Sequence, residues 1–195
     1  VAALDEISGF ESGDLVIARG VVAALPGVLG SQYFYIVSDA KAGAAGLQIY
    51  NYKKDFPELK AGDYIEVAGE LSSVNGERRL KIKNSGDIKI IEHRAEPVAE
   101  EISADEINGD YIGRLVEITG EITAKKNSII YLDDGAGEAV IYIKKHTGIN
   151  ADDFKEGEII TVAGIVGGAK SGTRIMPRSA DDISRKFRCR AAGFA

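Results

Sequence analysis

Tyrosine and basic side chains recur together along this chain at spacings typical of one face of a strand. Tyr33 and Tyr35 are two residues apart, and Tyr50 and Tyr52 are followed directly by the lysine pair 53–54. Because side chains alternate between the two faces of a strand, each tyrosine pair points to one side. Exposed aromatic rings can stack on bases, each stack contributing about 1–3 kcal/mol, and neighbouring Lys and Arg side chains can contact phosphates.

The same combination occurs in both halves of the chain, which predicts a surface that binds single-stranded nucleic acid. The candidate residues are Tyr33, Tyr35, Tyr50, Tyr52, Lys53, Lys54, Arg78, Arg79 and Lys81 in the first half, and Tyr131, Tyr142, Lys144, Lys145, Arg174 and Arg178 in the second. A purely structural explanation stays open, because tyrosine favours strands and basic residues keep hairpins and sheet edges soluble.

The sequence lacks the residue groupings typical of catalysis or metal binding. His93 and His146 lie in different halves, and neither has a second ligand at a metal-binding spacing. The acidic segment 133–135 reads as a hairpin turn, and the glycine-rich segment 167–172 is followed by no helix, unlike a phosphate-binding loop. Cys189 is the one cysteine, so no internal disulfide can form. We therefore expect no enzymatic activity, no cofactor and no metal.

The elements that carry the candidate residues come from an internal repeat. Residues 15–20 match 115–120, and residues 67–69 match 162–164, in the same order along the chain. Charged residues, alanine and Pro97 separate the two copies. The predicted units are a first barrel at 1–96, a second barrel at 97–187 and a basic tail at 188–195.

Each half consists of short runs rich in Val, Ile and Tyr, broken by Gly and Asp turns, which is typical of a small all-β domain. In the first half the predicted strands are 15–24, 32–38, 46–52, 63–74 and 78–91. Gly20 and Gly69 fall in the long first and fourth strands, where glycine permits the bend that closes a barrel. Pro57 lies in the short segment before the fourth strand and leaves room for little helix. The sequence therefore predicts an all-β fold of two tandem five-stranded OB-type β-barrels with reduced helices.

Several segments resemble OB-fold modules that accompany secreted bacterial nucleases and related extracellular nucleic-acid-processing proteins. The resemblance is carried by residues 33–39, 46–50, 59–63 and 67–71, and by residues 131–135 and 155–157 of the second copy. It implies a secreted accessory module whose ligand is nucleic acid, with the binding face on the second and third strands. It carries over no catalytic residue.

The charge of the chain limits which partners it can bind. The net charge is -6, and acidic residues outnumber basic ones in both halves, which argues against a uniformly positive surface for duplex DNA. We therefore expect a local patch. The residues alone are compatible with a cytoplasmic protein or with one whose signal peptide has been removed. The resemblance implies the second, with a role beside an extracellular nuclease or uptake system, outside the cell or at its surface. No apolar run approaches the ~20 residues of a membrane helix.

An alternative hypothesis is an extracellular structural subunit that assembles into filaments and uses its barrels as protein–protein interaction domains. The acidic barrels contrast with the basic segment 185–190, and head-to-tail contact between identical subunits can propagate an open chain. Self-association would then use the barrel edges and the tail.

Overall fold

The computed structural model describes residues 1–38 and 45–186. Cys189 and the predicted tail at 188–195 lie outside this part of the chain. The first sheet contains β1 (Leu15–Ala24), β2 (Tyr33–Val37), β3 (Gly46–Tyr50), β4 (Asp63–Val74), β5 (Glu77–Lys81) and β6 (Ile88–His93).

Five of these strands close into a barrel, here called barrel 1. Its neighbours run β1, β2, β3, β5, β4 and back to β1, with β3 and β5 parallel and the other pairs antiparallel. The predicted single strand at 78–91 is wrong, because the chain turns between β5 and β6. Asn84 caps a short 3-10 helix there by accepting from the Gly86 amide, and β6 then continues along β4.

The second sheet repeats this arrangement as barrel 2. Its strands are β7 (Glu100–Glu101), β8 (Leu115–Lys126), β9 (Ile129–Asp133), β10 (Glu138–Tyr142), β11 (Ile159–Ala169), β12 (Gly172–Met176) and β13 (Ile183–Lys186). The closed order is β8, β9, β10, β12, β11 and back to β8, while β7 lies beside β8 and β13 beside β11. The predicted all-β, OB-type fold is confirmed.

Helical structure is sparse, as predicted. Within residues 1–38 and 45–186 every helical element is a 3-10 helix: Leu4–Gly9, Ser85–Asp87, Ala104–Glu106, Gly109–Tyr111, Lys145–Thr147, Ala151–Asp153 and Ala180–Asp182. Among these elements, none has the length and apolar character needed to cross a bilayer.

Two shared irregularities show that the barrels are built alike. The pairing of β1 with β2 slips between Val22 and Ala24, and the pairing of β8 with β9 slips 100 residues later, between Ile122 and Ala124. In barrel 1, a Cβ on Gly20 would lie 2.8 Å from the carbonyl oxygen of Val37. A Cβ on Gly120 would lie 2.5 Å from the carbonyl oxygen of Asp133, so glycine is needed at this corner of each barrel.

Each barrel has its own core, and a third apolar cluster joins them. Phe34, Ile36, Leu47 and Ile49 point into barrel 1, as the alternation predicts, and Ile130, Leu132 and Ile141 point into barrel 2. The joining cluster includes Ala24, Leu29, Tyr35 and Val37 of barrel 1 and Leu115, Ile165 and Met176 of barrel 2. We call this contact the seam.

The seam is close enough for backbone to touch backbone. A Cβ on Gly46 would lie 1.8 Å from the carbonyl oxygen of Gly113 across the contact. No side chain fits there, so β3 of barrel 1 lies directly against the chain that leads into β8 of barrel 2.

Candidate nucleic-acid interface

The seam covers part of the face of barrel 1 that was expected to meet a ligand. Tyr35 points away from the barrel core, as predicted, but barrel 2 covers it and leaves 1% of its surface exposed. Its hydroxyl donates to Oε1 of Glu77 at 2.6 Å. Tyr35 therefore presents no exposed ring surface to a ligand in this arrangement, because strand alternation defines a face but not what packs on it.

A buried carboxylate organises the polar part of the seam. Glu77 accepts from the Tyr35 hydroxyl and from Nε2 of Gln48 at 3.1 Å, and the backbone amide of Gly168 in barrel 2 also donates to it. Burial raises the pKa of Glu77, although these hydrogen bonds and the cations Lys144 and Arg174 oppose that effect. Glu77 therefore connects two strands of barrel 1 to barrel 2.

Tyr33 marks the point where the buried seam reaches solvent. Its hydroxyl donates to the carbonyl of Leu29 at 2.6 Å and accepts from Nζ of Lys144 in barrel 2 at 3.3 Å. Burial, followed by the Glu77 carboxylate, raises the pKa of Tyr33 to about 12. Burial and the nearby Arg174 lower the pKa of Lys144. Two cations thus converge at this end of the seam.

A tyrosine–arginine stack occurs at the same position in each barrel. Arg79 on β5 lies over the ring of Tyr50 at the end of β3, with 4.2 Å from Cζ to the ring centroid. Arg174 on β12 lies over Tyr142 at the end of β10 at 4.3 Å. In the repeat, Tyr50 corresponds to Tyr142 and Arg79 to Arg174. Both copies therefore present a half-buried aromatic ring with a guanidinium on one of its faces.

The docking of the barrels joins the two stacks into one strip. Tyr50 is paired with Tyr33 across β3 and β2, Tyr33 is bonded to Lys144, and Nζ of Lys144 lies 5.1 Å from the ring centroid of Tyr142. The resulting seam strip consists of Arg79, Tyr50, Tyr33, Lys144, Tyr142 and Arg174, all of them half-buried. The structure thus brings six of the fifteen predicted residues into a continuous series of contacts.

Four more predicted residues are exposed in the segments that follow β3 and β10, and a fifth lies on the open face of barrel 2. Tyr52 is 77% exposed, the lysine pair 53–54 follows it, and Lys145 is exposed at the start of the 3-10 helix Lys145–Thr147. Tyr131 is half-buried opposite Val140. These residues remain candidates for ligand contact outside the seam strip.

Three predicted basic residues form hydrogen bonds or ion pairs with other groups of the same protein. Arg78 donates to the carbonyls of Ile7 and Phe10, so it holds the N-terminal segment against β5.

The other two also have partners. Lys81 pairs with Glu70 at 2.5 Å. Arg178 pairs with Asp182 and donates to the carbonyl of Ala23 across the seam at 2.7 Å. All three side chains thus have partners within the protein, and a sequence that shows only their charge does not reveal these contacts.

The sequence analysis assigned no site role to Glu77, Gln48 or Gly168. One signal existed for Glu77: its counterpart in the repeat is Gly172, so a charged residue occurs in one copy only. A charge without a counterpart, between strands that otherwise match, indicates a feature of that copy alone.

The two faces differ most at the far end from the seam strip. Glu121, Asp133 and Glu138 are paired side by side across β8, β9 and β10. We call these three residues the acidic row. At the corresponding positions barrel 1 has Val21, Val37 and Gly46. Apolar and small residues thus form the seam in one copy, and carboxylates occupy the same positions in the other.

Acid and base side chains are otherwise dispersed. In the described ranges no group of three or more His, Cys, Asp or Glu residues is arranged to hold a metal ion. The chemistry that the seam strip offers is stacking and charge neutralisation.

No known protein family matches the chain. The chain is 25% identical over 182 residues to the endonuclease YhcR of Bacillus subtilis strain 168, with 86% of this chain and 14% of that protein covered. It therefore corresponds to a small part of that nuclease.

Two solved structures share a distant likeness. One is a murine DNA-binding protein bound with double-stranded DNA, at 12% identity and a TM-score of 0.41, covering 89% of this chain and 97% of that chain. The other is the Stn1–Ten1 complex of S. pombe, at 18% identity and a TM-score of 0.33, covering 39% and 65%. Likenesses at these scores assign no function.

Proposed function

We propose that this chain is a non-catalytic module that binds single-stranded nucleic acid along the seam strip. The observation that carries the proposal is the repeated tyrosine–arginine stack, present once per barrel and joined across the seam by Tyr33 and Lys144. A strand laid across both barrels would meet aromatic surface for its bases and cations for its phosphates.

The local electrostatics favour a strand confined to this strip. Lys144 and Arg174 lie close enough for Arg174 to lower the pKa of Lys144, so a phosphate placed between them would relieve their mutual repulsion. The acidic row repels phosphates at the other end of barrel 2. Binding to a narrow strip is compatible with a net charge of -6, whereas wrapping duplex DNA is not.

The proposal extends to the setting in which the module works. The chain matches part of a bacterial endonuclease, and its segments resemble accessory modules of secreted nucleases. We infer an accessory role beside a nuclease or an uptake system, at the cell surface or outside the cell. Immunodetection in medium, surface and cell fractions of the source organism tests the location; detection confined to the cell interior would contradict it.

The test is fluorescence anisotropy with a labelled single strand of ~20 nucleotides at low and moderate salt. We expect salt-sensitive binding, and we expect Tyr50→Ala and Tyr142→Ala each to weaken it by about 1–3 kcal/mol. A matched control is Tyr64→Ala, because Tyr64 also carries an arginine, Arg94, at 3.6 Å but lies on β4, away from the strip.

Equal loss of affinity in the Tyr64 variant would show that tyrosine–arginine stacks act through stability. Absence of binding by the folded wild-type protein at low salt would reject the function itself. Comparison with a duplex of the same length tests the preference for single strands.

A further inference from the structure

Barrel 1 carries a groove, open to solvent, over the paired strands β1 and β4 and the segment from the end of β5 onward. Its lining includes Leu15, Ile17, Ala68, Lys81, Lys83 and Asp87, and we call it the open groove. Leu15 is 82% exposed and Ile17 is 42% exposed. Such exposure of adjacent aliphatic side chains on a sheet is typical of a contact surface.

The apolar part of the open groove corresponds to the surface on which barrel 2 holds barrel 1. In the repeat, Leu15 corresponds to Leu115 and Ala68 to Ala163. Leu115 is 5% exposed and Ala163 is 9% exposed, and Leu115 belongs to the seam cluster. Barrel 2 therefore shows what covers this position when a partner is present: the outer face of another barrel.

The polar part of the open groove also has counterparts in barrel 2. In barrel 2, Arg178 donates to the carbonyl of Ala23 in the docked barrel, and its backbone amide donates to Asp182 at 2.7 Å. Lys83 and Asp87 are the counterparts in barrel 1, and the Lys83 amide donates to Asp87 at the same distance, 2.7 Å. The open groove thus retains a cation where the seam uses one to bond a partner's backbone.

Other positions of the groove differ from their counterparts. Ile165 and Met176 of the seam are replaced by Glu70 and Lys81, which form an ion pair at 2.5 Å. Ile17 takes the place of Glu117, and Ile82 that of Pro177. Because an ion pair replaces two apolar side chains of the seam cluster, a partner is expected to bind the open groove less tightly than barrel 1 binds barrel 2.

We propose that the open groove is a docking site for another OB-type barrel with an outer face like that of barrel 1. This face combines the positions of Tyr35 and Val37 with a glycine at the position of Gly46. Barrel 2 of a second copy does not qualify, because Asp133 and Glu138 replace Val37 and Gly46, and a Cβ at the Gly46 position would collide with the opposing backbone. The inference stands independently of nucleic-acid binding.

The test weakens the seam, so that the outer face of barrel 1 becomes exposed and can bind the open groove of another copy. Leu115→Asp with Met176→Asp weakens the seam from the barrel 2 side, and neither residue belongs to the core of barrel 2. We expect this seam variant to associate as its concentration rises in sedimentation velocity. The wild-type protein, whose face is covered, should not associate by this route.

Adding Leu15→Asp to the seam variant is the decisive control. Because Leu15 is exposed and outside the seam, its loss should leave folding unchanged by circular dichroism and return the variant to a monomer. A seam variant that is folded and monomeric at all concentrations would overturn the proposal. So would association that persists after Leu15→Asp.

Discussion

At the scale of single residues, Glu77 has the most distinctive environment in the described part of the chain. It is 7% exposed, it accepts hydrogen bonds from both barrels, and the cations Arg174 and Lys144 oppose the rise in its pKa that burial causes. A buried carboxylate of this kind fixes the relative position of its donors, because leaving any of them unpaired is costly. The two barrels are thereby held in one arrangement.

The raised pKa of Glu77 predicts how stability depends on pH. A group whose pKa is higher in the folded than in the unfolded protein contributes stability below the unfolded value, and this contribution is lost as pH rises through the folded value. Glu77→Gln removes this dependence. We therefore expect the unfolding free energy of the variant, relative to wild type, to increase with pH from about 4 to neutrality.

Urea unfolding at a series of pH values measures this difference. Glu96→Gln, at an exposed position between the barrels, is the control and should show a flat difference. A flat difference for Glu77→Gln as well would contradict the assigned environment.

We expect Tyr35 to contribute to stability and not to nucleic-acid binding. Tyr35→Phe removes the hydroxyl that donates to Glu77 but keeps the ring in the seam, so we expect a loss of about 1–3 kcal/mol in unfolding free energy. Single-strand affinity should be unchanged in the folded variant, since Tyr35 is covered. Parallel urea unfolding and anisotropy measurements check both parts, and weaker binding without a loss of stability would contradict the burial of Tyr35.

At the scale of elements, alternation and repetition predicted most of the fold. Phe34 and Ile36 point into the barrel and Tyr35 points out because a strand alternates, whatever surrounds it. The repeat likewise predicted strands of barrel 2. The break between β5 and β6 escaped prediction, because the local hydrogen bonds of Asn84 and Asp87 outweigh a pattern that otherwise reads as one strand.

The candidate site was only partly predictable for a different reason. Residue type and strand position identified Tyr50, Arg79, Tyr142 and Arg174, but not that each pair forms a stack. Burial of Tyr35 depends on contacts between units far apart in sequence, which local periodicity does not report. Alternation in a sequence predicts which side chains share a face of a strand, but it does not predict which other part of the protein covers that face.

The close contact between β3 and the Gly113 backbone predicts that a larger residue at position 46 lowers stability. Gly46→Ala places a methyl group against the Gly113 backbone, so the barrels must move apart, and we expect a loss of about 1–3 kcal/mol. Thermal unfolding measures the loss, and small-angle scattering measures the separation. Gly109→Ala is the matched control, because a Cβ there meets nothing within 4 Å; equal effects of the two substitutions would contradict the contact.

At the scale of the whole molecule, the seam makes two barrels behave as one body. Apolar residues, a buried carboxylate and Arg178 all cross it, so each barrel stabilises the other. We expect a single calorimetric transition for the wild-type protein and two transitions for the Leu115→Asp, Met176→Asp variant. Two transitions in the wild type would show that the seam contributes little to stability.

The salt dependence of nucleic-acid binding tests whether the cations of the seam strip contact phosphates. Removing Lys144 or Arg174 should lower the slope of log affinity against log salt by about 0.7, the amount for one phosphate contact on a single strand. A lysine outside the strip, such as Lys89 on β6, is the control. An unchanged slope after loss of either strip cation would place the phosphates elsewhere.

The open groove lies on barrel 1 and the acidic row on barrel 2, so the two barrels present different surfaces to a further barrel. The carboxylates at the outer face of barrel 2 prevent it from settling onto another barrel as barrel 1 does. The groove of barrel 1, by contrast, keeps the leucine and the cation of a receiving surface. The two barrels therefore differ in what they offer to a further barrel: barrel 1 offers a groove that can receive an outer face, and barrel 2 lacks the outer face that such a groove receives.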